Sequence, residues 1–311
     1  MSDIIGVDVG GANLKIVDGD SVVIHYCPMW QDSPLTEILR PYSHKKAAVV
    51  MSGELADGFK NKEEGIRFIV DSVKAGIPDS VFYGMDGCFH EDPTALLAAA
   101  NWLASADFLQ EDYPDAVFVD MGSTTTDIIP LNSFDSLKGL TDLDRLRKGY
   151  MVYTGTLRTT VPAVLRSAIV NGFETLVSSE YFAQSADVHL VLGNISEDDY
   201  STPTADGTGT SYGECLQRLS RVVCSDLSEI GEKGALSIAQ AFYDEQKYQI
   251  KRQVERVMEE TGASSVVAAG IGSHIISEIF NCRDLSKEMG VYSDAMPAYA
   301  VREVAERKER C

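Results

Sequence analysis

The residues with the clearest chemical potential lie near the start of the chain, in residues 8–15 (DVGGANLK). An apolar strand ends at Asp8, and Gly10 and Gly11 then let the backbone approach a ligand, where N–H groups can hold phosphate oxygens. Lys15 returns on the next strand as a positive charge near the same place. Taken alone, the segment is equally compatible with an ordinary hairpin that contains Asp and Gly.

A second segment of the same kind occupies residues 120–127 (DMGSTTTD). Its apolar strand also ends in an aspartate, Asp120, whose carboxylate could hold a cation such as Mg²⁺ directly or through water. Backbone N–H and hydroxyl groups are suitable donors for phosphate oxygens. The candidate phosphate-binding residues here are Gly122, Ser123, Thr124 and Thr125. The alternative is a Thr-rich hairpin with satisfied hydroxyls, in which Asp127 positions or caps the turn.

A third segment, residues 266–273 (VVAAGIGS), is a buried strand that continues into a glycine-rich turn. Such a turn lets a nucleotide or another flat ligand lie on bare backbone. We therefore regard Gly270, Gly272 and Ser273 as a candidate nucleotide-type pocket. Because a lone G-x-G is common, this hypothesis depends on the other two segments.

The elements that would position these segments follow an order that occurs twice. The expected strands are Ile4–Val9, Asn13–Val17, Ser21–His25, Ala47–Ser52, Val81–Tyr83, Ala116–Asp120, Thr126–Pro130 and Ser265–Ala269. The expected helices are Lys62–Ala75, Thr94–Ala106, Val161–Ala168, Cys215–Cys224, Ala235–Thr261 and Pro297–Glu309. Duplicated α/β halves give two lobes with a ligand cleft between them. We interpret residues 196–212 as an ordered functional loop, with a plain surface excursion as the alternative.

Length and composition limit the classes of function. The 311 residues suggest two domains, and a net charge of -20 argues against a nucleic-acid partner. No apolar run reaches the ~18 residues that a membrane-spanning helix needs, and the N-terminus lacks the basic region of a secretory signal. We therefore expect a cytoplasmic protein without a membrane partner. The 6 cysteines have no metal-site spacing, so we expect free thiols.

In combination and in this order, the three segments resemble the phosphate-1, phosphate-2 and adenosine motifs of the actin-like ATPase superfamily. Residues 120–127 also look like the signature of hydantoinase A and oxoprolinase-type proteins. Longer blocks resemble one small family, the methanofuran-biosynthesis condensing enzymes, whose relatives are linked to tetrahydromethanopterin one-carbon pathways. These blocks are residues 51–65, 83–87, 152–163, 186–194, 204–207 and 218–226.

The resemblance implies an α/β fold, the superfold of actin-like ATPases, sugar kinases and Hsp70, with two ribonuclease-H-like lobes and a central cleft. The N-terminal lobe would comprise residues 1–115 and the C-terminal lobe residues 116–294. A helix at about 295–311 would pack back on the N-terminal lobe.

The resemblance also implies an activity. An (aminomethyl)furanmethyl diphosphate would be joined to the phenol oxygen of γ-glutamyltyramine, with release of diphosphate, by a Mg²⁺-dependent transferase of the alkyl- and aryl-transferring class. Both partners are small molecules. Asp8 and Asp120 would hold the metal, mostly through water, and the hairpin residues would hold the diphosphate.

The acceptor needs further groups, because a phenol has a reference pKa of ~10. Glu54 and Asp86 each follow a predicted strand end, so either could be the base or bind the ammonium group of the furan; loop capping is the plain alternative. Arg158 is a candidate for the glutamyl carboxylate, because its planar guanidinium can bind a carboxylate through two hydrogen bonds. His90 is a weaker candidate, since a lone loop histidine is usually solvated.

Two other readings stay open. An ATP-dependent kinase, or a hydantoinase/oxoprolinase-like hydrolase, would bind ATP in the same cleft through residues 270–273. A non-catalytic, nucleotide-responsive regulatory protein would use the same fold, since fold does not determine function. We also consider a homodimer.

Overall fold

The computed structural model describes residues 4–31 and 33–310, so Cys311 lies outside the described residues. The strands are β1 (Ile4–Val9), β2 (Asn13–Asp18), β3 (Ser21–Tyr26), β4 (Lys46–Met51), β5 (Ser80–Tyr83), β6 (Phe89–His90), β7 (Ala116–Met121), β8 (Thr126–Pro130), β9 (Met151–Val152), β10 (Ser167–Val170), β11 (Phe173–Leu176), β12 (Ser265–Ala269) and β13 (Arg283–Asp284). The helices are α1 (Leu35–Leu39), α2 (Lys62–Gly76), α3 (Asn101–Leu109), α4 (Phe134–Leu137), α5 (Asp142–Lys148), α6 (Val161–Val164), α7 (Ser185–Val191), α8 (Tyr212–Arg221), α9 (Leu227–Thr261), α10 (Ser273–Phe280), α11 (Leu285–Met289) and α12 (Met296–Arg310).

The two large sheets have equivalent strand orders over five strands, and the first sheet has β6 in addition. One runs β3-β2-β1-β4-β5-β6 and the other β9-β8-β7-β12-β13. In each, a central strand pairs with an antiparallel hairpin partner on one side and a parallel strand on the other: β1 with β2 and β4, and β7 with β8 and β12. This duplication confirms the predicted actin-like superfold with two ribonuclease-H-like lobes.

The two central hairpins close in the same way. Gly10 N–H donates to the carbonyl of Asn13 at 2.9 Å, and Gly122 N–H donates to the carbonyl of Thr125 at 2.9 Å. All of β1 is buried. Because successive side chains of a strand point to opposite faces of the sheet, its buried apolar residues determine the face on which each neighbouring side chain lies. The strands β1 and β7 therefore deliver Asp8 and Asp120 to equivalent positions in the two lobes.

The last helix, α12, packs against β1, β4 and α3. A Cβ at Gly6 would overlap the carbonyl oxygen of Ala298, so this close approach requires glycine in β1. The buried Asp107 on α3 accepts from the Tyr83 hydroxyl at 2.6 Å and from Arg307 at 2.7 Å. These contacts attach α12 to both the sheet and the helix beneath it.

Most predicted strands are confirmed, but two helices were wrong in extent. The predicted helix Val161–Ala168 ends at Val164, and Ser167–Val170 is instead the first strand of a small hairpin. The hairpin turns at Asn171-Gly172, with φ of 50° and 89°, the positive values that a two-residue primed turn needs. The helix predicted at Thr94–Ala106 starts only at Asn101.

The largest hydrophobic cluster includes residues of both lobes, so the lobes share one apolar core. The cysteines within the described residues, Cys27, Cys88, Cys215, Cys224 and Cys282, are all free. None of the helices in that part of the chain combines the length and apolar character that a membrane crossing requires.

Candidate active site

Strand register brings charged side chains of the two hairpins to one place. Asp8 lies directly opposite Lys15 across β1 and β2, and Asp120 lies directly opposite Asp127 across β7 and β8. Burial raises the pKa of both Asp8 and Asp120, and Lys15 is near enough to oppose this rise in both, although they belong to different lobes. Asp294, which precedes α12, is also near Lys15. The structure therefore brings Asp8, Lys15 and Asp120 together.

Two carboxylates in this group are short of partners. Burial raises the pKa of Asp8 to about 6, with Lys15 opposing, and Asp8 Oδ1 has no hydrogen-bond partner among the described residues. Burial, reinforced by the charge of Asp127, raises the pKa of Asp120 to about 7. A buried carboxylate without a partner is costly, so this group favours an added cation.

Magnesium fits this donor set. It is usually bound through one or two carboxylates and keeps several waters, and substrate phosphates complete its shell. Within the described residues, no group of three or more His, Cys, Asp and Glu side chains is arranged to hold a metal ion. Asp8 and Asp120 would therefore share the ion with water and ligand oxygens rather than enclose it.

The second hairpin has backbone donors that the protein does not use. Its carbonyls are held by residues 153–159, which we call the supporting loop: Thr156 N–H donates to Gly122 O, and Arg158 N–H donates to Ser123 O, each at 2.9 Å. In a trans peptide the C=O and N–H point in opposite directions, so the N–H groups of Ser123 and Thr124 point away from this loop. Neither N–H donates to an acceptor in the described protein, and both residues are partly exposed.

The first hairpin repeats this arrangement more simply. The carbonyl of Gly11 accepts the N–H of Met29 at 2.9 Å, which turns the N–H of Ala12 to the opposite side. A Cβ at Gly11 would meet no atom within 4 Å, so protein packing does not require this glycine. Open space and unused N–H groups next to Lys15 suit an anionic ligand.

The third glycine segment packs against the second hairpin. A Cβ at Gly270 would overlap the Asp120 carboxylate, and one at Gly272 would lie 2.5 Å from the Met121 side chain. Ser273 is buried, with its hydroxyl 2.9 Å from that of Ser286. Close packing is thus sufficient to explain both glycines, and the nucleotide-type pocket stays a prediction.

Glu54 lies beside the first hairpin, because a Cβ at the preceding Gly53 would be 2.8 Å from the carbonyl oxygen of Gly10. The Glu54 carboxyl is buried, and its Oε2 has no hydrogen-bond partner in the described chain. Burial raises the pKa of Glu54; Lys62 opposes this effect and Asp142, from the other lobe, adds to it. Glu54 therefore belongs to the interface between the lobes.

Asp86 has different surroundings. Both of its oxygens lie 3.1 Å from His90 Nε2, and its Oδ1 accepts the N–H of Cys88 at 3.0 Å. Burial alone would raise the pKa of Asp86, but the hydrogen bonds from His90 and Cys88 lower it below its usual value. This residue is satisfied within its own turn, and in the described structure no contact connects it to either hairpin.

Arg158 follows the second hairpin through its backbone contact with Ser123. Its guanidinium is partly buried and forms no ion pair within residues 4–31 and 33–310. Burial raises the pKa of the neighbouring Tyr181, and the charge of Arg158 opposes this effect. Within the described residues this guanidinium is therefore available to an anionic group of a ligand.

Sequence reasoning missed Arg145 on α5. Its buried guanidinium is ion-paired with Asp127, donates to Asp142 at 2.8 Å, and stacks 4.4 Å from the centre of the Trp102 ring on α3. Arg145 thus connects the second hairpin to a helix of the other lobe. No local pattern could have indicated this, because the ion pair with Asp127 joins residues 18 positions apart.

Residues 196–212 are held in place by Arg218 on α8. This buried side chain donates to Asp187 at 2.8 Å, to Asp206 at 3.2 Å and to the Thr208 hydroxyl at 3.0 Å. Tyr200 also donates to Asp187, at 2.9 Å. The segment is therefore ordered, and its role in function stays a prediction.

Comparison with known proteins agrees with this reading. The model of the hydantoinase/oxoprolinase family matches residues 45–307. The (4-{4-[2-(gamma-L-glutamylamino)ethyl]phenoxymethyl}furan-2-yl)methanamine synthase of Methanocaldococcus jannaschii is 36% identical over 323 residues, covering 98% of this chain and 98% of the relative. The enzyme of the same name from Methanococcus vannielii is 36% identical over 189 residues, covering 60% of this chain and 85% of the relative.

Among solved structures, a ROK family glucokinase from Streptomyces griseus in complex with glucose and AMPPNP covers 98% of this chain and 99% of its own, with a TM-score of 0.45 and 11% identity. That likeness is too low to carry an argument about sugar or nucleotide binding. Identity of 36% along nearly the whole chain is far more specific. The chain therefore belongs to the hydantoinase/oxoprolinase family and, within it, to the (4-{4-[2-(gamma-L-glutamylamino)ethyl]phenoxymethyl}furan-2-yl)methanamine synthase family.

Proposed function

We propose that this chain is a transferase that joins an (aminomethyl)furanmethyl diphosphate to the phenol oxygen of γ-glutamyltyramine and releases diphosphate. One observation supports the proposal: the two hairpins have unused N–H donors at Ala12, Ser123 and Thr124, and the first also carries Lys15 and the under-partnered Asp8. That combination suits a diphosphate accompanied by a cation. The name of the full-length relative agrees with the product of this reaction.

The reaction breaks the bond between the furan CH₂ and the diphosphate oxygen, and the electron pair leaves with the diphosphate. The furan ring can stabilise positive charge at its CH₂, so cleavage can run ahead of attack by the phenol oxygen. The enzyme must then stabilise the leaving group. Preorganised N–H groups and Lys15 act on that developing charge without having to reorganise.

Asp8 and Asp120 would hold Mg²⁺, mostly through water, and the ion would supply positive charge that offsets the charge of the leaving diphosphate. The chain's own contribution is to keep the buried Asp8 and the partly buried Asp120 close to Lys15. Their raised pKa values reflect the cost of removing charged carboxylates from water.

For the proton of the phenol, Glu54 is the better candidate base of the two carboxylates considered. Its Oε2 is unpartnered, and burial raises its pKa, which makes it a stronger proton acceptor than an exposed carboxylate. Asp86 is engaged by His90 and Cys88, which suits a structural role in its turn. Arg158 would bind the glutamyl carboxylate of the acceptor through its planar guanidinium.

The test is to mix the purified protein with Mg²⁺, the furanmethyl diphosphate and γ-glutamyltyramine, then measure diphosphate release and detect the ether by mass spectrometry. We expect release that depends on the phenol, and its loss in Asp120→Ala. The matched control is Asp71→Ala, an exposed aspartate on α2. Ether formation that survives Asp120→Ala would contradict the assigned role of that residue.

A parallel reaction replaces the furan diphosphate with ATP and follows ADP. ADP without ether would move the chain to the kinase or hydrolase class. Nucleotide binding without turnover in either reaction would indicate a regulatory protein. The cytoplasmic location and the homodimer stay predictions. Cell fractionation would test the location, and light scattering would test the homodimer.

A further inference from the structure

A continuous series of hydrogen bonds, most of them buried, lies behind the supporting loop. Asn194 Nδ2 lies 3.2 Å from His189 Nδ1, and His189 Nε2 lies 3.0 Å from Gln246 Oε1. Gln246 Nε2 then donates to the Thr154 hydroxyl at 2.8 Å and to the Gly155 carbonyl at 3.0 Å. Both His189 and Gln246 have 0% exposure. The series therefore runs from His189 on α7 through Gln246 on α9 to the supporting loop within the protein interior.

The direction of these bonds fixes the amide of Gln246. A glutamine has two N–H donors and one acceptor oxygen, and here both donors and the oxygen are used. The opposite orientation would place Oε1 against the carbonyl of Gly155 and leave that carbonyl with only the Thr159 hydroxyl, at 3.3 Å, as its donor. Such a series favours one arrangement, because the donors and acceptors of its members are all paired only when the hydrogen bonds run in one direction.

Gly155 is also where the supporting loop touches the second hairpin. A Cβ at Gly155 would lie 2.6 Å from Thr124 N and 2.7 Å from Gly122 O. The N–H of Gly155 is held as well, by the Thr159 hydroxyl at 2.8 Å. A shift of this residue would thus be transmitted directly to the peptide units whose N–H groups face the ligand.

We propose that Gln246 is a positioning residue for the diphosphate site, because its two N–H bonds set the supporting loop against the second hairpin and so aim the N–H groups of Ser123 and Thr124. It acts through the backbone and touches no substrate. This inference rests on the proposed function only in the choice of ligand. Binding of inorganic diphosphate can test it without turnover.

The experiment compares Gln246→Leu and Gln246→Glu with the unaltered protein. Leucine removes all three hydrogen bonds of the Gln246 amide. Glutamate keeps the shape of the side chain but places a carboxylate oxygen, which is an acceptor, against the Gly155 carbonyl. Calorimetric titration with inorganic diphosphate and Mg²⁺ gives the Kd, and turnover gives KM for the furan diphosphate and for γ-glutamyltyramine. The control is Gln253→Leu on the same helix, whose Nε2 has no partner in the described residues.

We expect both Gln246 variants to raise the diphosphate Kd and the donor KM about tenfold, the size typical of one lost buried hydrogen bond. The acceptor KM should change little, and Gln253→Leu should resemble the unaltered protein. A purely structural role would lower the active fraction and kcat while Kd and donor KM stayed the same. That result, in a variant with an intact melting transition, would overturn the inference.

The binding arm separates this inference from the proposed reaction. Diphosphate binding that weakens in the Gln246 variants, in a protein that forms no ether, would support the positioning role and reject the reaction. Ether formation with unchanged Kd and donor KM in both variants would support the reaction and reject the positioning role. An unaltered protein that binds no diphosphate would reject both.

Discussion

Burial and hydrogen-bond partners, rather than residue type, distinguish the carboxylates near the cleft. Glu54 and Asp86 both follow strands of the first sheet, yet one is buried with an unpartnered oxygen and the other is held by a histidine. The same comparison applies to Asp120 and Asp127, which face each other across a hairpin. Only Asp127 has a guanidinium partner, in Arg145.

Glu54→Gln tests the base at this scale. The amide keeps the size of the side chain but cannot accept the phenol proton, so we expect kcat for ether formation to fall about 10²–10⁴-fold. Because burial raises the pKa of Glu54, the activity of the unaltered enzyme should fall as the pH drops through that raised value. The variant should lack this acidic limb in its pH–rate profile.

The matched control is Glu63→Gln, an exposed glutamate that pairs with Arg67 on α2. It should keep both the rate and the pH profile. If Glu54→Gln retained full kcat with the same acidic limb, the base would have to be another group.

His189 gives a prediction about stability and pH. Burial lowers its pKa to about 3, with His274 adding to the effect, whereas the unfolded chain has the ordinary value of 6.5. Between these values the unfolded state binds the extra proton, so stability falls as the pH drops below about 6.5. At pH 5 the loss from this residue is about 2 kcal/mol relative to pH 8.

Urea unfolding at pH 8 and pH 5 measures this loss. In His189→Gln the difference between the two pH values should shrink by about 2 kcal/mol, because the variant has no proton to take up on unfolding. The exposed His44→Gln variant should keep the full difference. An unchanged difference in His189→Gln would mean that His189 is not held neutral in the folded protein.

At the scale of elements, the buried ion pair of Arg218 and Asp187 connects α8 to α7 and holds residues 196–212. Removing one partner leaves an uncompensated buried charge, so Arg218→Ala should lower the free energy of unfolding by about 3–5 kcal/mol. Arg221→Ala, which removes a half-exposed partner of Asp206, should cost at most about 1 kcal/mol. Equal losses in urea unfolding would contradict the assigned importance of burial.

The hairpins could be predicted from sequence because their signals are local. An apolar strand, an aspartate near its end and a following glycine all occur within a few residues of each other, in both lobes. The helix predicted over residues 161–168 is wrong beyond Val164, because the Asn171-Gly172 turn makes residues 167–176 a hairpin. That dipeptide is a strong hairpin signal and correctly describes β10 and β11.

The supporting contacts of the site could not be predicted in this way. Gln246 reaches Gly155 across 91 residues, and Asp142 approaches Glu54 from the other lobe. Such pairs follow from how the lobes pack, and a single sequence carries no local pattern for them. The resemblance to a family identifies only the motifs themselves. The residues that hold those motifs in place can be identified only from the fold.

At the scale of the whole molecule, the fit of α12 on β1 depends on one glycine. Gly6→Ala would force its Cβ into the carbonyl oxygen of Ala298, so we expect a loss of about 2–3 kcal/mol in urea unfolding. Gly213→Ala, on an open face of α8, should instead be neutral or slightly stabilising. Comparable losses in the two variants would contradict the packing argument.

The return of α12 to the first strand also affects the order in which the chain matures on the ribosome. Domains generally fold as they emerge, the N-terminal one first. Here β1 is synthesised early, yet the helix that covers it follows the whole of the second lobe. The second lobe has its strands and helices available sooner, so the first lobe must wait with an uncovered apolar surface for synthesis to reach α12. During that interval we expect the nascent first lobe to expose the apolar surface that α12 later covers.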